Sequence, residues 1–228
     1  MIKFVFIDLD NTVLDFNKSE NAALKQALSQ MGIRADDSVA LAYSQINDSL
    51  WKMLEKGKIT RSELCVRRFA MLFARLGVNA DPVEGNRRYT ELLAQQVFFI
   101  DGAEELLKNL SQKYRLFIAS NGNAPVQHGR IDRSGIAKYF ENIFISQEVG
   151  ANKPSREFFD LCFEKIEGFD KNQAIIFGDS LTSDIAGGKN AGILTCWYNP
   201  EKAAVGDIKP DFTVNSLNGF IKVLDEIQ

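Results

Sequence analysis

The sequence of 228 residues contains a single histidine, His128, and only three cysteines, Cys65, Cys162 and Cys196. One imidazole excludes histidine-rich zinc centres and any mechanism that needs two of them. The cysteines are odd in number, far apart and set among apolar neighbours, so they make neither a disulfide framework nor a metal-ligand pattern and are expected as reduced, packed thiols. Any acid–base chemistry therefore falls to carboxylates. An excess of positive charge is missing as well: 27 Lys and Arg face 30 Asp and Glu, a net charge of -3. That balance leaves no basic footprint for a nucleic acid polymer. No apolar run is long enough to span a membrane, and Met1 leads straight into a strand-like run rather than an export signal. A soluble, cytoplasmic protein with no membrane partner is the expectation.

What is present is an ordinary globular composition, with 45% hydrophobic and 25% charged residues, enough to bury a core in one large domain or in two smaller units. Lys3 to Leu9 is almost continuously apolar, the pattern of a strand covered on both faces in a parallel sheet. Similar short runs recur at Leu116 to Ala119, Ile143 to Ile145, Ala174 to Phe177 and Leu194 to Trp197. Helical periodicity fills the intervals, at Ala103 to Leu110, Arg156 to Ile166 and Leu181 to Asn190. This alternation predicts an α/β fold, a Rossmann-like, doubly wound parallel sheet. Residues 16–96 differ, with amphipathic stretches that fit four helices. Thr60 and Glu63 are spaced as a capping box, and Asp81, Pro82 and Glu84 stand in the order cap, first-turn proline, first-turn acid. Residues 1–15 and 97–228 are thus expected as the α/β core, and 16–96 as an inserted helical cap domain.

In an open parallel sheet, ligands bind beyond the carboxyl ends of the strands. The first strand ends in Asp8-Leu9-Asp10-Asn11-Thr12, where one carboxylate can attack while the other moves protons. The second ends in Ser120-Asn121-Gly122 ahead of a helix expected near Ala124, a set of hydrogen-bond donors for an anion. After the third comes Asn152-Lys153-Pro154, whose lysine is a compact cation suited to phosphate charge. The fourth ends in Gly178-Asp179, with Asp184 about one helical turn on; Asp8, Asp179 and a backbone carbonyl make a hard-oxygen set of the kind magnesium accepts, and Asp184 is expected behind it.

These motifs, in this order, resemble those of the haloacid dehalogenase superfamily, whose phosphatases carry Asp-x-Asp-x-Thr, a Ser or Thr after the second strand, a Lys before Pro, and Gly-Asp with a later Asp. The likeness spans essentially the whole chain. It implies that Asp8 attacks phosphorus to form an aspartyl phosphate and that Asp10 serves as acid and then base. It further implies that Ser120, Asn121 and Lys153 hold the phosphate, and that Mg2+, with Mn2+ as the alternative, sits on Asp8, Asp179 and the Asp10 carbonyl. Dehalogenases and phosphonate hydrolases lack the second aspartate, so Asp10 points to phosphatase or phosphomutase chemistry. An insert after the first motif is the helical, C1-type cap that closes over small substrates.

More narrowly, the chain looks like the bacterial pyrimidine 5'-nucleotidases of that superfamily. The carrying stretches are Ser120 to Gly122, Ile145 to Gly150, Asn190 to Ile193 with Thr195 to Asn199, and, in the insert, Ile46 to Trp51 and Arg68-Phe69. The likeness implies a small phosphorylated metabolite, a nucleoside monophosphate, as partner and makes Asn47, Trp51 and Arg68 candidates to touch the nucleoside. A sugar phosphatase or phosphomutase and a catalytically silent phosphometabolite binder are the alternatives; the oligomeric state is not encoded in these patterns. Two other signals are set aside. Ala186-Gly187-Gly188-Lys189 fails as a P-loop because Ser183 and Asn190 stand at required positions, and its glycines fit close helix–sheet packing instead. His128 has no serine elbow before it and is expected on the surface.

Overall fold

The computed structural model describes residues 1–227 and divides into two compact units, Met1–Phe16 with Val97–Gln228, and Asn17–Gln96. Phe16, placed in the insert by the sequence pattern, groups with the first unit.

The first unit is built on a six-stranded sheet in the order β3-β2-β1-β4-β5-β6, every pairing parallel. The strands are β1 (Phe4–Ile7), β2 (Arg115–Ser120), β3 (Asn142–Ile145), β4 (Ala174–Gly178), β5 (Leu194–Tyr198) and β6 (Phe212–Val214). Successive side chains of a strand point to opposite faces, and here both faces are covered. Val5 and Ile7 join Leu116, Ile118, Ile175 and Phe177 in one buried cluster with Leu106, Leu107, Leu110 and Phe220. Phe4 and Phe6 join Phe117, Phe144 and Ile176 in the other, with Phe158, Phe159 and Cys162. On that second face the rings of Phe6 and Phe117 stack at 5.1 Å and those of Phe117 and Phe144 at 6.1 Å. Each such ring contributes about 1.5–3 kcal/mol by leaving water. The continuous apolar character of β1 thus follows from having no solvent face.

The second unit holds helices α1 (Phe16–Gln30, whose first residue belongs to the other unit), α2 (Asp37–Glu55), α3 (Arg61–Leu76) and α4 (Pro82–Leu93). Thr60 and Glu63 form a reciprocal capping box, and Asp81 caps α4 ahead of Pro82. Gly77 closes α3 at φ 66°, a left-handed conformation that favours glycine. The core of this unit is aromatic, with Tyr43, Phe69 and Tyr89 at ring separations of 5.2 to 5.7 Å.

The sheet is flanked by α5 (Ala103–Leu110), α6 (Ala124–Ser134), α7 (Ser146–Val149), α8 (Arg156–Phe163), α9 (Ala186–Ala191) and α10 (Leu217–Glu226). Two expected helices are altered. α8 stops at Phe163 rather than Ile166. The segment expected as a helix from Leu181 begins as a π-helical turn, Leu181–Ile185, before α9; such turns often mark functional sites. A Cβ on Gly188 would press on Ile176 at 2.5 Å and one on Gly187 on Phe159 at 2.7 Å, so these glycines let α9 lie close to the sheet and to α8.

Candidate active site

Strand order reverses at β1, which has β2 on one side and β4 on the other. That is where an open α/β sheet leaves a crevice at its carboxyl edge. Asp8, Ser120 and Asp179 stand there, immediately after β1, at the end of β2 and immediately after β4. Lys153 comes from the segment between β3 and α8. It is almost wholly buried, and its Nζ donates to Asp8 Oδ1 at 2.7 Å, to Asp184 Oδ1 at 2.5 Å and to the Ala119 carbonyl at 2.5 Å. One ammonium therefore bridges two carboxylates that lie far apart in sequence.

Asp184 is held from the other side as well, since the Ser180 amide donates to its Oδ2 at 3.0 Å. The glycine ahead of Asp179 has a steric cause: a Cβ on Gly178 would fall onto the Asp184 carboxylate. One ligand oxygen from each of Asp8, Asp179 and Asp184 can be chosen so that all three lie within 4.8 Å of one another. Asp184 lies in this acidic cluster with its oxygens held by Lys153 and the Ser180 amide.

Three carboxylates against one lysine leave net negative charge in a buried place. The carboxyl of Asp8 is pushed up to about 7, chiefly by burial, with Asp184 and Asp10 adding to the rise and Lys153 opposing it. Burial, then the charges of Asp8 and Asp184, raises Asp179 well above the ordinary carboxylate range. Lys153 is raised, because the two carboxylates outweigh the cost of burying its charge. A hard divalent cation suits this donor set, which is all carboxylate oxygen without sulfur or imidazole, and would relieve the mutual repulsion of Asp8 and Asp179.

Asn121 was expected on the phosphate. Its side chain holds the Lys153 peptide, Nδ2 donating to the Lys153 carbonyl at 2.8 Å and Oδ1 accepting from the Lys153 amide at 2.9 Å. An amide side chain matches a peptide donor for acceptor, so Asn121 fixes the stem from which the ammonium reaches Asp8. Ser120 is buried at the end of β2, and Asn11, directly after Asp10, takes a left-handed φ of 57° in the turn that leaves β1. Two residues that the motif reading passed over also belong here. Gln127 and Arg130, on the buried face of α6, both bond the Asp10 carboxylate. Their three-residue spacing on the helix after Ser120 shows only that they share a face, and carries no sign of Asp10. His128, between them in sequence, is half-exposed and meets Glu148 Oε1 at 2.8 Å.

The family model for haloacid dehalogenase-like hydrolases matches residues 5–198. The chain belongs to that family. Among relatives, this hydrolase is 39% identical to the pyrimidine 5'-nucleotidase PynA of Streptococcus pneumoniae over 98% of this chain and 95% of that one. It is 30% identical to the pyrimidine 5'-nucleotidase YjjG of Escherichia coli, covering 97% of each. The crystal structure of the HAD-hydrolase YfnB of Bacillus subtilis, described as bound to magnesium, superimposes with a TM-score of 0.94 at 36% identity, covering 98% of this chain and 99% of that one. Among the described residues, no helix is long and apolar enough to cross a membrane.

Of the remaining candidates in the insert, Asn47 and Arg68 lie inside the helical unit. Asn47 Nδ2 donates to Glu20 Oε1 at 2.8 Å, and Arg68 Nη1 donates to Asn47 Oδ1 at 3.2 Å. Arg68 also reaches Asn86 Oδ1 from Nη2 at 2.6 Å and lies 4.8 Å from the Tyr89 ring centroid. Trp51 is half-buried on α2, with the Arg61 guanidinium 5.3 Å from its ring centroid.

Proposed function

We propose that this hydrolase is a magnesium-dependent phosphomonoesterase that works through an aspartyl phosphate on Asp8, with pyrimidine nucleoside 5'-monophosphates as its substrates. The observation that carries the reading is the single ammonium of Lys153 bridging Asp8 and Asp184 beside Asp179. A carboxylate nucleophile can approach a dianionic phosphate only where positive charge is already in place.

In the proposed reaction an Asp8 oxygen attacks phosphorus while the ester P–O bond breaks, and Asp10 passes a proton to the departing oxygen. Asp10, now a carboxylate, takes a proton from water as that water attacks the phosphorus. The Asp8–phosphate bond breaks, releasing inorganic phosphate and restoring Asp8. Lys153 neutralises phosphate charge, Ser120 donates to a phosphate oxygen, and Asn121 keeps Lys153 in place. Asp8 and Asp179, with the Asp10 carbonyl, would hold Mg2+, which would supply charge neutralisation at the phosphate and favour the ionised, nucleophilic form of Asp8; Mn2+, with the same taste for oxygen, is the alternative ion.

The nucleotide assignment rests on the two relatives named as pyrimidine 5'-nucleotidases. Asn47, Trp51 and Arg68 remain the proposed nucleoside contacts. Three unpaired cysteines fit a reducing, cytoplasmic setting. The test is phosphate release from a panel of nucleoside 5'-monophosphates and small sugar phosphates, with Mg2+ or with chelator. Release that is greatest on pyrimidine nucleotides, needs the metal and vanishes in Asp8→Asn is the expected result. Activity surviving in Asp8→Asn would overturn the covalent step. Isomer conversion without net phosphate would make the chain a mutase.

A further inference from the structure

Asp10 is moored to α6 in a way that the reaction as written above does not use. Gln127 and Arg130 lie one turn apart on that helix, both with almost no exposure. Arg130 Nη1 donates to Asp10 Oδ1, and to Gln127 Oε1 at 3.1 Å. Gln127 Nε2 donates to Asp10 Oδ2 at 2.7 Å and to Ser120 Oγ at 2.8 Å. The orientation of the Gln127 amide follows from chemistry: a guanidinium only donates, so the oxygen must face Arg130 and the nitrogen must face Asp10 and Ser120. Ser120 Oγ accepts a second hydrogen bond, from the Gly122 amide at 3.1 Å. With both lone pairs occupied, its own proton is left to donate outward, as a phosphate oxygen requires. Gly122 has to be small for this arrangement, because a Cβ there would fall onto the Gln127 side chain.

Packing leaves Arg130 incompletely satisfied. Its Nε and Nη2 are buried and have no hydrogen-bond partner among the described residues, and its guanidinium lies 5.7 Å from the Phe16 ring centroid. An ion pair buried in this way, with donors left unmet, is commonly matched or exceeded in stability when the pair as a whole is replaced by apolar residues of its size. We infer that Arg130 and Gln127 are positioning residues for the reaction, holding the Asp10 carboxylate at a fixed setting and turning the Ser120 hydroxyl proton toward the phosphate. The inference rests on the proposed roles of Asp10 and Ser120.

The experiment measures kcat, KM and the thermal midpoint with Mg2+ and p-nitrophenyl phosphate for Arg130→Met, Arg130→Lys, Gln127→Leu, Asp8→Asn and Asp10→Asn, and for Arg130→Met combined with Asp10→Asn. Arg130→Met is expected to lower kcat about 10- to 100-fold, the scale of a misplaced acid–base group, with KM changed less than about 3-fold and the midpoint lowered, since Asp10 is left without its cation. Arg130→Lys should recover part of the loss. Gln127→Leu should lower kcat and raise KM together, since it touches both Asp10 and Ser120. In the Asp10→Asn background, Arg130→Met should cost little more, because the group it positions is already lost. Wild-type kcat in Arg130→Met and Gln127→Leu, or a full further loss in the double variant, would overturn the inference. Should Arg130→Met fail to fold, Arg130→Lys and Gln127→Leu carry the same test: wild-type kcat and KM in both would overturn the inference, and kcat losses would sustain it. Turnover by Asp8→Asn would instead bring down the aspartyl-phosphate reading, so the two failures are separable.

Discussion

The two units bury charge in different ways. In the α/β unit Asp8, Asp179 and Asp184 cluster, two of them paired with Lys153, and Asp8 and Asp179 are raised by burial and by neighbouring carboxylates. In the helical unit Arg68 and Glu20 are also buried, but amides stand between them: Glu20 accepts from Asn47, and Asn47 accepts from Arg68. The first arrangement keeps like charges together and stores repulsion that a cation or a phosphate can relieve. The second disperses charge along neutral amides and an aromatic face and stores little. A cluster of like charges has a poor claim to stability and a good claim to chemistry.

The largest expected effect separates the units by their cations. Lys153→Met strips the ammonium from Asp8 and Asp184 and should cost about 3–5 kcal/mol of stability, the scale for breaking a buried pair, together with all measurable turnover. Arg68→Met leaves only amides and Glu20 unmatched, so urea denaturation should show a smaller loss, about 1–3 kcal/mol. Equal losses would break the comparison.

Glycine substitutions sharpen it next. Gly178→Ala places a methyl on the Asp184 carboxylate, and Gly85→Ala places one 2.7 Å from the Phe69 ring. Each overpacks its surroundings by about 1–3 kcal/mol. Only Gly178→Ala should weaken Mg2+ binding, as read by calorimetry; a comparable weakening in Gly85→Ala would contradict the separation.

Metal binding should report the stored repulsion directly. Because the Asp8 carboxyl is pushed up to about 7 and Asp179 is raised with it, part of the population carries a proton there near neutrality. Mg2+ must displace that proton. Calorimetry in buffers of different ionisation enthalpy should show proton release, and affinity should rise with pH until Asp8 is fully ionised. Binding without proton release would mean that the acids are already ionised in the free protein.

The smallest effect belongs to Glu20. Burial raises its carboxyl above the ordinary 4.5, against hydrogen bonds from Ser44 and Asn47 and the charge of Arg68. The folded state therefore binds this proton more tightly than the unfolded chain. Its contribution to stability is complete below 4.5 and is lost as pH rises through the higher folded value. Glu20→Gln should flatten that part of the stability profile and raise the thermal midpoint at neutral pH, with little change in acid. A lowered midpoint at neutral pH would show that the ionised Glu20 contributes more through Arg68 than burial takes away.

Much of the architecture was legible in local pattern. The apolar run before Asp8, the capping box at Thr60 and the cap at Asp81 each depend on neighbours a few residues away, so spacing alone reveals them. β6 was missed: Phe212–Val214 is three residues long, pairs only with β5, and carries no doubly buried run of the kind that betrays β1. The hold of the Asn121 side chain on the Lys153 peptide was not legible, because a strand-end amide looks the same in sequence whether it faces an anion or a peptide. Gln127 and Arg130 escaped because their partner Asp10 is 117 and 120 residues away, and no local spacing records such a pair.

The sequence by itself determined which residues stand at strand ends, because a strand buried on both faces must be apolar and its polar terminus shows as a break. It also determined the chemical inventory: carboxylates, one lysine before proline and a serine, with a lone histidine outside the set. Only the tertiary structure decided which of these share a partner. Placing β4 beside β1 brings Asp179 and Asp184 to Asp8, and the segment after β3 carries Lys153 across to Asp8 and Asp184. Strand order is set by the packing of two hydrophobic faces over the whole sheet, a sum over many distant contacts that no local pattern contains.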